Sequence, residues 1–232
     1  MNTTKPTRTL TAVRDDLIMR SMLAKVGDVP EGVLLPVLRV VADDRAAVDA
    51  GWTAVAAGRT GNRLLEGPRW SWKRRYGQFV RELEWTSTEL TRILPAEEVT
   101  DLVAGAVSLR LRRWLRYLLP AFGSVRLVPR RLYPAVMDAG VSVATFLVGP
   151  IHRVGEEADG TLVYEIPECA MHTSVSSPRA QVNSCLMGCK AACERVFDAH
   201  SAMPLEFDPH LPGLSCTLRV HPAASLPATT TA

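Results

Sequence analysis

Five cysteines, Cys169, Cys185, Cys189, Cys193 and Cys216, are the residues of this chain best suited to chemistry, and none occurs before Cys169. Three of them are spaced four apart, reading C-L-M-G-C-K-A-A-C from Cys185 to Cys193. Thiols grouped in this way act as metal ligands, disulfides or redox relays. On a helix, residues at i, i+4 and i+8 share a face, with neighbours about 6 Å apart at Cβ. The outer two are then about 12 Å apart along the axis, because each residue rises ~1.5 Å. One ion cannot bridge that span. The spacing therefore predicts either a break inside the motif or one thiol outside the ligand set. Gly188 is the weak point for a break, at about 1 kcal/mol relative to Ala in a helix. Cys169 and Cys216 would complete a four-thiolate set from strand-like flanks, and four thiolates suit iron–sulfur clusters or zinc. The C-x2-C pairs usual for zinc are absent. His172 is a lesser candidate ligand, and an ordinary loop histidine is the plainer reading. A buried cysteine also serves as a small hydrophobe, which is the plain reading for any one of the five. The odd count, with no recognisable secretory leader, argues against disulfides and for a reducing, cytoplasmic setting.

The elements that position these thiols follow from patterning. With 232 residues, 47% of them hydrophobic, the chain has material for a substantial core. Its net charge of +3 is modest, and basic residues are not interleaved with base-stacking aromatics, so nucleic acid is not expected as a partner. We expect a loose N-terminus over 1–12, a helical body over 13–150, a cysteine-rich module over 151–221 and a disordered tail over 222–232. Helices are expected at Val13–Lys25, Val37–Ala57, Trp72–Leu83, Ser87–Ile93, Ala96–Leu119 and Leu132–Leu147. Asp159-Gly160 reads as a turn, and Thr161–Ile166, Leu205–Phe207 and Ser215–His221 read as strands. The fold class is α+β.

Between Leu102 and Met137 there is no Asp or Glu, but there are Arg110, Arg112, Arg113, Arg116, Arg126, Arg130 and Arg131. Leucines, Trp114 and Tyr117 lie among them. Such a segment either lies on an anionic membrane, through Arg110, Arg113 and Arg116, or is the solvated face of a core-packed helix.

One family shares the order of these motifs. Ile166-Pro-Glu-Cys169, the C-x3-C-x3-C segment, Val196-Phe197, Met203-Pro-Leu-Glu-Phe-Asp-Pro209 and Ser215-Cys216 resemble the C-terminal domain of the iron-containing plant β-carotene isomerases of strigolactone synthesis. Upstream, Leu118-Leu-Pro120 and Phe146-Leu-Val-Gly-Pro150 are similar to the segments ahead of that domain. The loop between Cys169 and Cys185 is longer here and lacks the acidic pair that follows the first cysteine in the plant proteins. The Ala-, Val- and Arg-rich composition suits a bacterial relative.

The resemblance implies iron, as an iron–sulfur cluster on Cys169, Cys185, Cys189, Cys193 and Cys216, and isomerisation of a double bond in a hydrophobic isoprenoid such as a carotenoid. Such a rotation requires bond order to fall, by electron transfer or by protonation from a buried acid. Glu165 and Glu168 are the candidate acids, with Asp138 beside them. An apolar tunnel for the polyene would use the stretch from Leu132 to Val148, which also reads simply as core. Two alternatives stand beside this reading. One is a cyclase or rearrangement enzyme acting on a polyprenyl substrate with the same iron centre. The other is a non-enzymatic iron–sulfur redox sensor.

Overall fold

The computed structural model describes residues 17–58, 71–116, 123, 127–129, 131–169, 183–213 and 215–222. His172, Arg126, Arg130, Leu118–Pro120 and the two chain ends fall outside the described residues. The fold is α+β: a helical part followed by a four-stranded antiparallel sheet.

The helical part begins with α1 (17–26), a short π-turn at Pro30–Leu34, and α2 (Leu35–Val41). The single helix expected over Val37–Ala57 is broken at 42–44, where Asp44 caps α3 (Arg45–Ala56) by accepting the Ala47 N–H at 2.9 Å. The two helices expected between Trp72 and Ile93 are instead one, α4 (Ser71–Ile93). Its polar middle is no break. Thr86 is fully buried and returns its hydroxyl to the Glu82 carbonyl, and Trp85 packs on Trp52 at 6.0 Å between ring centroids. α5 (Ala96–Leu115) carries Glu97 and Glu98 in its first turn and Arg112 and Arg113 in its last, matching the helix dipole. α6 (Tyr133–Val148) is apolar nearly throughout and stops at Gly149 with φ 100°.

The strands are β1 (His152–Glu156), β2 (Leu162–Ile166), β3 (Leu205–Pro209) and β4 (Cys216–Val220), in the spatial order β1-β2-β4-β3. β1 did not stand out in the sequence because all its residues are exposed and it shows no apolar alternation. The Asp159-Gly160 turn joins β1 to β2, with Gly160 at φ 89° and the Thr161 N–H held by Asp159 Oδ1 at 2.8 Å. Leu162, Tyr164 and Ile166 alternate inward on β2, and Cys216, Leu218 and Val220 do so on β4. The register pairs Ile166 with Cys216, Tyr164 with Leu218 and Leu162 with Val220.

Between β2 and β3 lie a π-helix (Ser184–Lys190) and α7 (Ala191–Val196), which together carry the C-x3-C-x3-C motif. This pair packs on α4 and α5 and, through β3, on the sheet. One hydrophobic core runs from Met19 to Val220, so the helical part and the cysteine-rich part share their buried surface.

Candidate metal centre

Three separate pieces of chain bring thiols together. Cys169 follows the end of β2 and Cys216 opens β4, so the Ile166–Cys216 pairing sets both at the same end of the sheet. Cys185 and Cys189 come from the π-helix laid across that end. These four thiols line one small cavity of about 10 Å³, closed by Val148, Ile166, Phe207 and Lys190. The volume is about that of a single water-sized sphere. Among the described residues, no three Cys, His, Asp or Glu side chains are placed to hold one ion as they stand. A metal bound there would have to draw the thiols together.

The motif is one continuous helical path, but not one α-helix. Its first seven residues are π-helical, with the Ala191 N–H bonded back to the Leu186 carbonyl, and the path turns α-helical after Lys190. π-turns inside helices are uncommon and recur at functional sites. Gly188 does not end the helix. It allows close packing: a Cβ there would lie 2.7 Å from Leu83 Cδ2 on α4. Cys193, one turn further on, is half-buried and does not line the cavity.

The electrostatics show thiols crowded together, each opposing the ionisation of the next. Burial first, then the charges of Cys189 and Cys169, push the Cys216 thiol up to about 12. Cys185 is raised further, by burial and then by Cys189, Cys216 and Cys169. Cys189 holds its proton through a hydrogen bond with Cys193, reinforced by burial and by the charges of Cys193 and Glu194. A donor set of buried soft thiols, each opposing its neighbours' ionisation, suits iron or zinc, which bind the thiolate and remove that opposition.

Two neighbours of the set were missed in the sequence. Tyr76 on α4 is buried, and its hydroxyl resists ionisation because of burial and then the charges of Cys189, Cys169 and Cys193. Nothing in the spacing of a residue so far upstream links it to the cysteines. Lys190 lines the cavity beside Cys189 and was legible only as a residue inside the motif.

The candidate acids lie elsewhere. Glu165 is exposed on the outer face of β2, between inward-facing Tyr164 and Ile166, and Glu168 is exposed beyond the strand end. Neither lines the cavity. Asp138 is half-buried on α6, where it accepts the Tyr164 hydroxyl at 2.9 Å and lies 3.5 Å from Arg153. The arginines of α5 also divide. Arg110 pairs with Asp28 at 2.9 Å, and Arg112 holds the Arg195 carbonyl and lies 3.4 Å from Asp198. Arg113 and Arg116 are exposed, near Leu109, which is also exposed. The chain matches no family model, no curated protein and no solved structure.

Proposed function

We propose that Cys169, Cys185, Cys189 and Cys216 hold an iron centre, and that the protein is an isomerase of carbon–carbon double bonds in a hydrophobic isoprenoid. The observation that carries the metal reading is the convergence of four thiols, from three separate segments, on one cavity. The order of the cysteine motifs and the Phe146–Pro150 segment support the choice of iron and of substrate class. Val148, at the end of the apolar helix α6, is in the cavity wall, which puts a hydrophobic element next to the thiols. Iron bound there supplies one-electron or Lewis-acid chemistry, which can lower the order of a double bond. The protein's own contribution is to exclude water with Val148, Ile166 and Phe207 and to fix the thiols from the sheet end and the π-helix. A proton route through Glu165 or Glu168 gains no support from their exposed positions.

A second reading, a non-enzymatic iron–sulfur protein, is favoured by one observation. The cavity of about 10 Å³ has no room for a polyene, and two larger hollows, one beside Phe197 and Leu205 and one beside Arg112 and Ala191, are open and lined in part by charged groups such as Glu194, Asp198 and Glu206.

The test begins with metal content and stoichiometry after anaerobic purification or reconstitution. Iron should bind, C189A should lose most of it, and C193A should retain it. Zinc alone, with no iron after reconstitution, sinks the iron reading. Iron-replete protein is then incubated with all-trans and cis carotenoids and with linear polyprenyl precursors. Products of unchanged mass and altered double-bond geometry that vanish in C189A support the isomerase. A new ring at unchanged mass points to a cyclase. Iron with no turnover moves the assignment to the second reading.

A further inference from the structure

The wall of the thiol cavity includes one lysine. Lys190 follows Cys189 directly and lines the cavity with the four thiols. Its ammonium is anchored twice: to Glu194 Oε1 at 2.8 Å and to the Phe207 backbone carbonyl. The same Glu194 oxygen accepts the Phe207 N–H at 2.7 Å. Phe207 lies on β3, the edge strand, opposite Leu218 of β4. Its N–H and C=O turn away from β4 and would otherwise stand open, and a Lys–Glu pair one helical turn apart satisfies both. This latch ties the cysteine helix to the sheet edge and holds a positive charge beside the thiols.

The acidic side chains beside the set are Glu194, which Lys190 holds, and Asp208, which stands opposite Thr217 next to Cys216 and lies 3.8 Å from Arg219. Four thiolates around one divalent ion leave about two negative charges to be compensated in a water-poor site, where an uncompensated charge is costly.

We infer that Lys190 is a positioning residue of this centre: held by Glu194 and the Phe207 carbonyl, its ammonium offsets the negative charge of the metal–thiolate set. The inference rests on the metal reading above. It goes beyond packing, because a latch alone and a charge alone predict different outcomes. If only the latch matters, removing either partner weakens the centre alike. If charge matters, removing the cation and removing the anion act in opposite directions.

The experiment uses the full chain under anaerobic conditions and cobalt(II) as the probe, following the thiolate–cobalt absorption band in competition with a chelator. Lys190→Gln keeps a donor for the Phe207 carbonyl but no charge, and Lys190→Met removes both. Either should weaken cobalt affinity by about tenfold or more, the range for outer-shell partners of metal ligands. Lys190→Arg should stay within about threefold of wild type. Glu194→Gln should leave affinity unchanged or raise it. The inference is overturned if K190Q and K190M bind cobalt as wild type does, or if E194Q weakens binding as much as they do. Either result leaves the metal reading standing. A wild-type chain that binds no cobalt overturns both together. K190Q serves if K190M does not fold, as judged by far-ultraviolet circular dichroism.

Discussion

A thiol buried among thiols binds its proton more tightly than a free one, and this has a consequence for the metal-free protein. Cys216 is pushed up to about 12 from an ordinary value of 9.0, and Cys185 and Cys189 are raised as well. Between the ordinary value and the folded one, the unfolded chain has released protons that the folded chain still holds. Stability therefore falls as pH rises through that window, and it is fully present below pH 9. Urea titrations of metal-free protein should show a midpoint that is flat to about pH 8.5 and then drops toward pH 11. A C185S/C189S/C216S variant should lose most of the drop, and an identical drop in that variant would contradict the assignment. The cysteines were legible as a set from residue type and proximity in sequence. The roughly 12 Å rise already implied that an unbroken helix leaves one thiol of three outside; that it is Cys193 was not legible, because even spacing treats the two outer thiols alike. Glu165 was within reach of a stricter reading. In Leu162-Val-Tyr-Glu-Ile166 the alternation already turns Glu165 away from Tyr164 and Ile166.

Among the elements, the π-helix depends most on a single residue. Gly188 is in contact with α4, and a Cβ there would come to 2.7 Å from Leu83 Cδ2. Leu83 is itself 1% exposed, so it has little room to yield. Alanine at Gly188 gains about 1 kcal/mol of helix propensity. Overpacking a filled core costs about 1–3 kcal/mol. The second effect should prevail, and Gly188→Ala should destabilise the protein by about 1 kcal/mol while displacing the thiols. Leu83→Val makes room, so the double variant should be less destabilised than the sum of the two single ones, with a coupling of about 0.5 kcal/mol or more in urea titrations. Strict additivity would show that the two residues do not meet. The sequence marked Gly188 for the opposite reason, as a place where the helix could break. Glycine's missing side chain permits a bend and a close approach equally, and which one applies depends on α4, a neighbour remote in sequence. The same remoteness hid the continuity of α4, where Thr86 and Trp85 read as an interruption, but Thr86 is buried with its hydroxyl on the Glu82 carbonyl and half-buried Trp85 packs on Trp52.

At the scale of the molecule, the change of character after Pro150 was legible in the sequence, since helical periodicity gives way to alternation; the shared core was not, because it depends on which faces meet. The distribution of charge is similar. The arginines of α5 read as one basic face, but the tertiary structure uses part of it: Arg110 is committed to Asp28, and Arg112 to the end of α7. Arg113 and Arg116 are exposed, with exposed Leu109 nearby and exposed Leu127 and Leu132 further along the chain. No helix among the described residues is long and apolar enough to cross a membrane. A mixed cationic and apolar surface of this kind suits peripheral contact with anionic lipid, and each arginine near such a surface contributes about 1 kcal/mol. Two of them correspond to a roughly 30-fold preference for acidic over neutral vesicles. The double variant Arg113→Glu/Arg116→Glu should abolish that preference without placing a charge in the core, because neither side chain is buried. Arg110→Glu should instead lower stability, since it sets two carboxylates against each other at Asp28. Cosedimentation with phosphatidylserine and phosphatidylcholine vesicles distinguishes these outcomes, and the preference should weaken as salt is raised past physiological strength, where charges are screened within about 8 Å. Equal partitioning to both vesicles, unchanged in the double variant, would mean that this face is simply solvated and that a hydrophobic substrate reaches the protein by another surface.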